Sequence, residues 1–241
     1  MIDWLKRDPH EAPTVAVGGR VLPVIIRRLA NARRMTLRLA PDGSEVRISM
    51  PRWGHTDEAL DFARSRTDWL ERQAAALPLA EPLQHGSRIT FRGSILEIAH
   101  QPDAPRRPRL ESETILVGGT AESLAPRLRR WLESEAQELL AIDLADYCTR
   151  AERPVPRLSL SNARRRWGSC SANGWIRINW RLVMAPDPVR RSVVAHEVAH
   201  LVHLDHSPRF HAFLGELYEG DIGQANAWLK QEGRSLYAPF G

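Results

Sequence analysis

Cysteine is nearly missing from this chain: Cys148 and Cys170 are its only two in 241 residues. Two are too few for a disulfide framework and too few for a four-thiolate zinc site. The expectation is a pair of reduced thiols in a cytoplasmic protein. No apolar run comes near the roughly 18 residues of a membrane-spanning helix, and the first residues, Met1 to Pro9, contain no apolar stretch of signal-peptide length. There is no glycine-rich phosphate loop followed by Lys and Ser or Thr, no visible internal repeat and no low-complexity tract. These absences argue against a disulfide-stapled secreted domain and a helical membrane protein, and leave no P-loop pattern to favour nucleotides.

What remains reads as globular, with 43% hydrophobic and 26% charged residues. Lys and Arg number 34 against 29 Asp and Glu, a net charge of +5, and the positive charge is mostly Arg. Such a surplus permits a nucleic-acid partner without requiring one.

The hydropathy pattern points to an α+β protein. Residues 1–20 read as a lead-in, 21–120 as a β-rich region with one helix, and 121–241 as a second, catalytic part. Val21 to Leu29, Met35 to Leu39 and the alternating Val46, Ile48 and Met50 predict a β-meander. Thr56 and Glu58 open an amphipathic helix to about Ala76. Strands are expected over 88–91, 94–99 and 113–117, with a loop at 101–109, followed by a long helix from Glu122 to Thr149. Arg157 to Ser161 and Trp175 to Trp180 read as strands, with Ser171 to Gly174 as the hairpin turn between them. Asp187, as N-cap before Pro188, begins a helix to about His203. Ser207-Pro208 starts another to Tyr218, and Gly220-Asp221 opens the last.

The chemistry concentrates in His196-Glu197-Val198-Ala199-His200. Residues four apart lie above one another on a helix face, so both imidazoles can hold one zinc. Glu197, about 100° round the helix from His196, then stands beside the open coordination position and can take a proton from an activated water. Val193, Val194 and Ala195 before the motif mark the helix as buried, which argues against two solvated histidines. A catalytic zinc needs a third protein ligand. His203, Asp205, His206, His211, Glu216 and Glu219 are the candidates. The Cα of His203 lies about 10 Å along the axis from that of His196, beyond comfortable reach. His206 is better placed, because the chain turns back before Ser207-Pro208; Glu216 is the alternative, and His211 suits packing or a supporting position.

The order of blocks carries a resemblance. Arg166-Trp-Gly-Ser-Cys-Ser171, Gly174-Trp-Ile-Arg-Ile-Asn-Trp-Arg-Leu182, Pro186, His196-Glu-Val-Ala-His-Leu201 and His206-Ser-Pro-Arg-Phe210 together resemble the YgjP-like metallopeptidases, grouped with the SprT-like and WLM zinc peptidases. The likeness is strong over about residues 157–215 and looser before them. It implies a zincin-like catalytic part in 121–241, zinc (Zn2+) on His196, His200 and His206, Glu197 as general base, and a peptide or unfolded protein as substrate. Where the family usually has Trp after the Phe of the last block, this chain has His211. The Arg164 to Trp167 block reads as a structural support of the zinc helix in preference to a phosphate-and-base grip, and Cys170 as a buried thiol near the site. Arg177 and Asn179 are expected on the polar side of their strand, which would pair with an extended peptide if it lines the cleft. Three function classes follow: a peptidase, a hydrolase of a non-peptide bond such as a nucleotide phosphoanhydride, and a zinc-stabilised nucleic-acid binder. A DNA-stimulated protease would combine the first and third. No membrane partner is expected.

Overall fold

The computed structural model describes residues 13–40, 43–75, 82–164 and 166–240. The chain clusters into two compact units, Met1–Leu79 and Ala80–Gly241. The boundary read from the sequence falls at 120; the contact boundary falls at 79, so the second sheet shares a unit with the C-terminal helices. The fold class is α+β, and the N-terminal region is β-rich as expected.

In the first unit, β1 (Thr14–Val17), β2 (Arg20–Leu29), β3 (Thr36–Leu39) and β4 (Val46–Pro51) form a sheet in the order β1-β2-β4-β3. This is not the expected meander. β2 runs parallel to β4, while β1 and β3 flank them antiparallel. Alternation along each strand was visible, but the order in which strands pair is a long-range choice. β1 lies inside the stretch read as a lead-in. Val15, Val17, Leu22, Val24, Val46, Ile48 and Met50 supply the buried face. It is covered by α1 (Thr56–Arg64) and α2 (Thr67–Ala75). The single helix expected over 56–76 breaks at Ser65-Arg66, which lets Leu60 and Leu70 both reach the sheet; the end of that expected helix, at Ala76, lies outside the described residues.

The second unit opens with β5 (Arg88–Phe91), β6 (Ser94–His100), β7 (Arg109–Glu111) and β8 (Thr114–Val117), in the order β5-β6-β8-β7. β6 and β8 are parallel and the outer pairs antiparallel. The two sheets therefore share one topology, a repeat that residue identities conceal. Both first hairpins turn through two residues with positive φ, Gly18 and Gly19 (56° and 78°) and Arg92 and Gly93 (51° and 81°), the conformation that matches the strand twist. β7 was missed because its three residues, all exposed, carry no alternation.

α3 (Ala121–Arg150) buries Leu124, Leu128, Trp131, Leu132, Ala136, Leu140, Leu144 and Tyr147, a stripe at helical spacing. A three-stranded sheet follows, ordered β10-β11-β9, from β9 (Leu158–Ser161), β10 (Gly168–Cys170) and β11 (Ile176–Asn179). The Ser171 to Gly174 turn joins β10 to β11, and β9 pairs with β11 in parallel. A 3-10 turn over Trp180–Val183 leads to α4 (Asp187–Ala199), then α5 (Pro208–Leu217) and α6 (Ile222–Gln231). The N-cap of α4 is Pro186, one residue before the Asp expected there. Among the described residues no helix is long and apolar enough to cross a membrane.

α4 is held by ions as well as by apolar contact. Asp143 on α3 is 3% exposed, and so is Arg190 on α4. Arg190 Nε donates to Asp143 Oδ2 at 2.8 Å, and Arg191 donates to Asp143 Oδ1 at 3.0 Å. Arg191 also reaches Asp146 and Glu219, and Tyr147 donates to Glu219 at 2.8 Å. At the helix start, Arg92 of the β5–β6 turn grips Asp187 with two nitrogens, and the N–H groups of Arg92 and Gly93 bond to the carbonyls of Val183 and Met184. Removing one member of a buried ion pair strands the other. Asp143→Ala is therefore expected to lower stability by about 3–5 kcal/mol, measured by denaturant unfolding, whereas Asp61→Ala, which breaks an exposed pair with Arg64, leaves it nearly unchanged.

Candidate metal centre

α4 carries His196 and Glu197 in its last turn, and His200 is its C-cap residue. The chain then leaves the helix, and His206 sits in the connection before α5. The structure brings these three imidazoles together: one ligand nitrogen from each lies within 4.8 Å of the others. Nε2 of His206 is 3.2 Å from Nε2 of His196. Two nitrogens on a tetrahedral ion with bonds of about 2.0–2.1 Å stand roughly 3.3–3.4 Å apart, so the residues fit a shared metal ion. Nδ1 of His200 is 3.0 Å from the His203 carbonyl oxygen; donation there fixes the tautomer and leaves Nε2 free to ligate. The Phe210 ring lies stacked on His200 at 4.6 Å and edge-on to His196 at 5.0 Å, which restricts both imidazoles.

The other sequence candidates are elsewhere. Among the described residues, His203, Asp205, His211, Glu216 and Glu219 are not in the cluster. The His203 ring packs near Phe213 at 5.8 Å, and Asp205 accepts from the Ser207 N–H. Glu216 is exposed, and Glu219 belongs to the ion network of α3 and α4. His211 lies 6.3 Å from His206, ring to ring, against Phe210.

Glu197 is 5% exposed. Burial raises its carboxyl to about 7, opposed by a hydrogen bond from the Cys170 backbone and by the positive charge of Arg166. Its Oε2 is buried and accepts no hydrogen bond from a described residue. Burial and the neighbouring His200, His206 and His211 push His196 down to about 4, which keeps it in the neutral form that binds a metal. Gly168 presses on the acid: a Cβ there would sit 2.3 Å from Glu197 Oε1. No local signal in the sequence announces that approach, because it joins residues 29 apart. A cleft of about 230 Å³ opens beside His196 and Glu197, walled by Trp167, Val193, Ile222 and Leu229.

A histidine triad that could hold a metal ion lies beside a buried glutamate. The model of the YgjP-like metallopeptidase domain matches residues 33–232. The chain belongs to the YgjP-like metallopeptidase family. No curated protein and no solved structure matches it. Membership makes it a metallopeptidase-type hydrolase and implies a metal cofactor, and the triad is a group of side chains that could hold one.

Several expectations about the surroundings change. Cys170 is half-buried, with burial and the Glu197 charge raising its thiol. Trp167 packs on Tyr237 at 5.7 Å and lines the cleft. Arg177 is exposed as expected, but Asn179 is fully buried. Its amide donates to the Ala163 carbonyl and reaches Tyr237, and its oxygen accepts the Arg181 N–H, so it ties the 3-10 turn to the C-terminal segment. β11 is the central strand of its sheet and has no edge to offer a peptide; β10 is the edge beside Glu197.

Two outcomes test this environment. A carboxyl raised in the folded state from 4.5 to about 7 stabilises the protein fully below pH 4.5. That contribution is lost as pH rises through about 7. Metal-free Glu197→Gln should therefore match metal-free wild type near pH 4 and exceed it by about 2–3 kcal/mol at pH 8, read from unfolding curves at both pH values. Gly168→Ala should cost on the order of 1–3 kcal/mol in the same assay, and should abolish activity by displacing the Glu197 carboxylate.

Proposed function

We propose that the protein is a zinc peptidase, with His196, His200 and His206 as the metal ligands and Glu197 as the general base. The observation that carries this reading is the 3.2 Å separation of the His196 and His206 nitrogens, with Glu197 as the next residue along the helix. Zinc, when bound, supplies Lewis acidity that brings a water toward neutral pKa and polarises a scissile carbonyl. Glu197 takes the proton from that water and delivers it to the leaving amine. A carboxyl whose affinity for protons is matched to neutral pH suits both transfers. The Cys170 backbone contact orients the carboxylate, and burial keeps bulk water from competing with it. The substrate is an extended peptide or unfolded chain, added along the edge of β10, with one side chain entering the cleft of Val193, Ile222 and Leu229.

The experiment is cleavage of an unfolded protein by zinc-loaded wild type beside Glu197→Gln, with bound zinc measured in both. The wild type is expected to cut, and the variant to lose at least about 100-fold in rate while keeping one zinc per chain. His206→Ala is expected to lose the zinc as well. Equal cutting by wild type and Glu197→Gln would remove the assigned base.

A further inference from the structure

On the other face of the β10–β11 hairpin is a second cavity that no step above uses. It measures about 230 Å³ and is lined by Arg166, Ser169, Cys170, Ser171, Trp175 and Arg177. Among the described residues two guanidinium groups and two hydroxyls line it, and no carboxylate does. Among the described residues Arg177 makes no salt bridge, and the charge of Arg166 acts on the Glu197 carboxylate without a close salt bridge. A third cation, Arg157, stands over the Trp175 ring at 4.7 Å. Arginines with guanidinium donors left over on one wall of a concavity are prepared for an oxyanion.

The strand register places this cavity relative to the metal centre. Ser169 pairs with Arg177, so the two share one face of the sheet; Gly168 and Cys170 pair with the buried Ile178 and Ile176 on the other. Gly168 abuts Glu197, and the Arg166 charge is felt at the Glu197 carboxylate. A peptide strand added along the edge of β10 becomes the next strand of this sheet, and its side chains alternate between the two faces. Residues facing one way enter the cleft beside His196. Their neighbours, one position along, face the row of Ser169 and Arg177.

We propose that the cavity of Arg166, Ser169, Ser171 and Arg177 is a substrate subsite that takes the carboxylate side chain of a peptide residue next to the cut bond, so that the enzyme selects acidic peptides. This rests on the peptidase reading for the strand that delivers the residue, but the preference itself belongs to the arginines. A carboxylate in the cavity accepts the guanidinium N–H groups in a paired, planar contact; an amide of the same shape forfeits the charge.

The test uses full-length, zinc-loaded protein and quenched fluorescent peptides in which a single Glu is stepped along the sequence against Gln at the same position. At one position the Glu peptide should have a kcat/KM about tenfold above its Gln partner. In Arg177→Gln that ratio should fall to about twofold or less, and in Arg177→Lys it should be intermediate, because charge remains without the planar fork. A ratio unchanged by Arg177→Gln, or no Glu preference at any position in wild type, overturns the proposal. Anisotropy of the same labelled peptides on zinc-loaded Glu197→Gln reads the subsite without chemistry. A Glu preference in binding that Arg177→Gln removes supports the subsite even if no peptide is cut, and in that case it is the peptidase reading that fails. If inorganic triphosphate binds in an Arg177-dependent way while acidic and neutral peptides bind alike, the arginines serve a phosphorylated ligand, and the proposal is overturned.

Discussion

The buried contact between Asp143 and Arg190 is the constraint on which the rest of the second unit depends. Both side chains are 3% exposed or nearly so, and an ion taken out of water is costly unless its remaining hydrogen-bond positions are filled. Here they are. Asp143 receives Arg190 on one oxygen and Arg191 on the other, and Arg190 also meets Asp187. Such a cluster contributes little net stability compared with an apolar core. It does, however, tie the start of α4 to α3 through two directed contacts on Asp143. Arg190 and Glu197 are seven residues apart, within about 20° of each other round a helix, so fixing Arg190 also fixes the direction in which Glu197 and its neighbour His196 point.

The two ends of α4 stand in opposite electrostatic conditions. At its start every charge is answered, by Arg92, Asp143, Asp146 and Glu219. At its end Glu197 is buried with one oxygen unbonded among the described residues, and three histidines crowd one another. That local cost is a stability deficit tolerated because the surrounding core of Trp180, Leu182, Val194, Val198 and Phe210 is almost fully closed. The raised carboxyl and the depressed imidazole border one cleft.

One sheet topology occurs twice in this chain and meets different demands. In the first unit the Gly18-Gly19 turn has open space at Gly19. In the second, the matching turn is Arg92-Gly93, and a Cβ at Gly93 would stand 3.0 Å from the Pro186 backbone. The glycine is needed there twice over, for its positive φ and for close approach. Arg92 beside it supplies the grip on Asp187. The second hairpin thus positions the start of α4, the helix that carries His196 and Glu197.

What the sequence determined by itself is local. His196, Glu197 and His200 were legible because helix geometry fixes neighbours three and four residues apart whatever the rest of the chain does. The long helix α3, the hairpins β5–β6 and β3–β4 and the starts of α5 and α6 were legible for the same reason. His206 required more: the turn before Ser207-Pro208 and the likeness of five ordered blocks. Tertiary structure alone decided which strands pair, and hence that β10 is an edge and β11 is enclosed. It also set Gly168 against Glu197, closed Asp143 onto Arg190, buried Asn179 and gathered Arg166 and Arg177 round one cavity. Each of these joins residues whose spacing along the chain has no periodicity to reveal them. Their proximity follows from the burial of a shared core, a property of the whole chain that no short window of sequence contains.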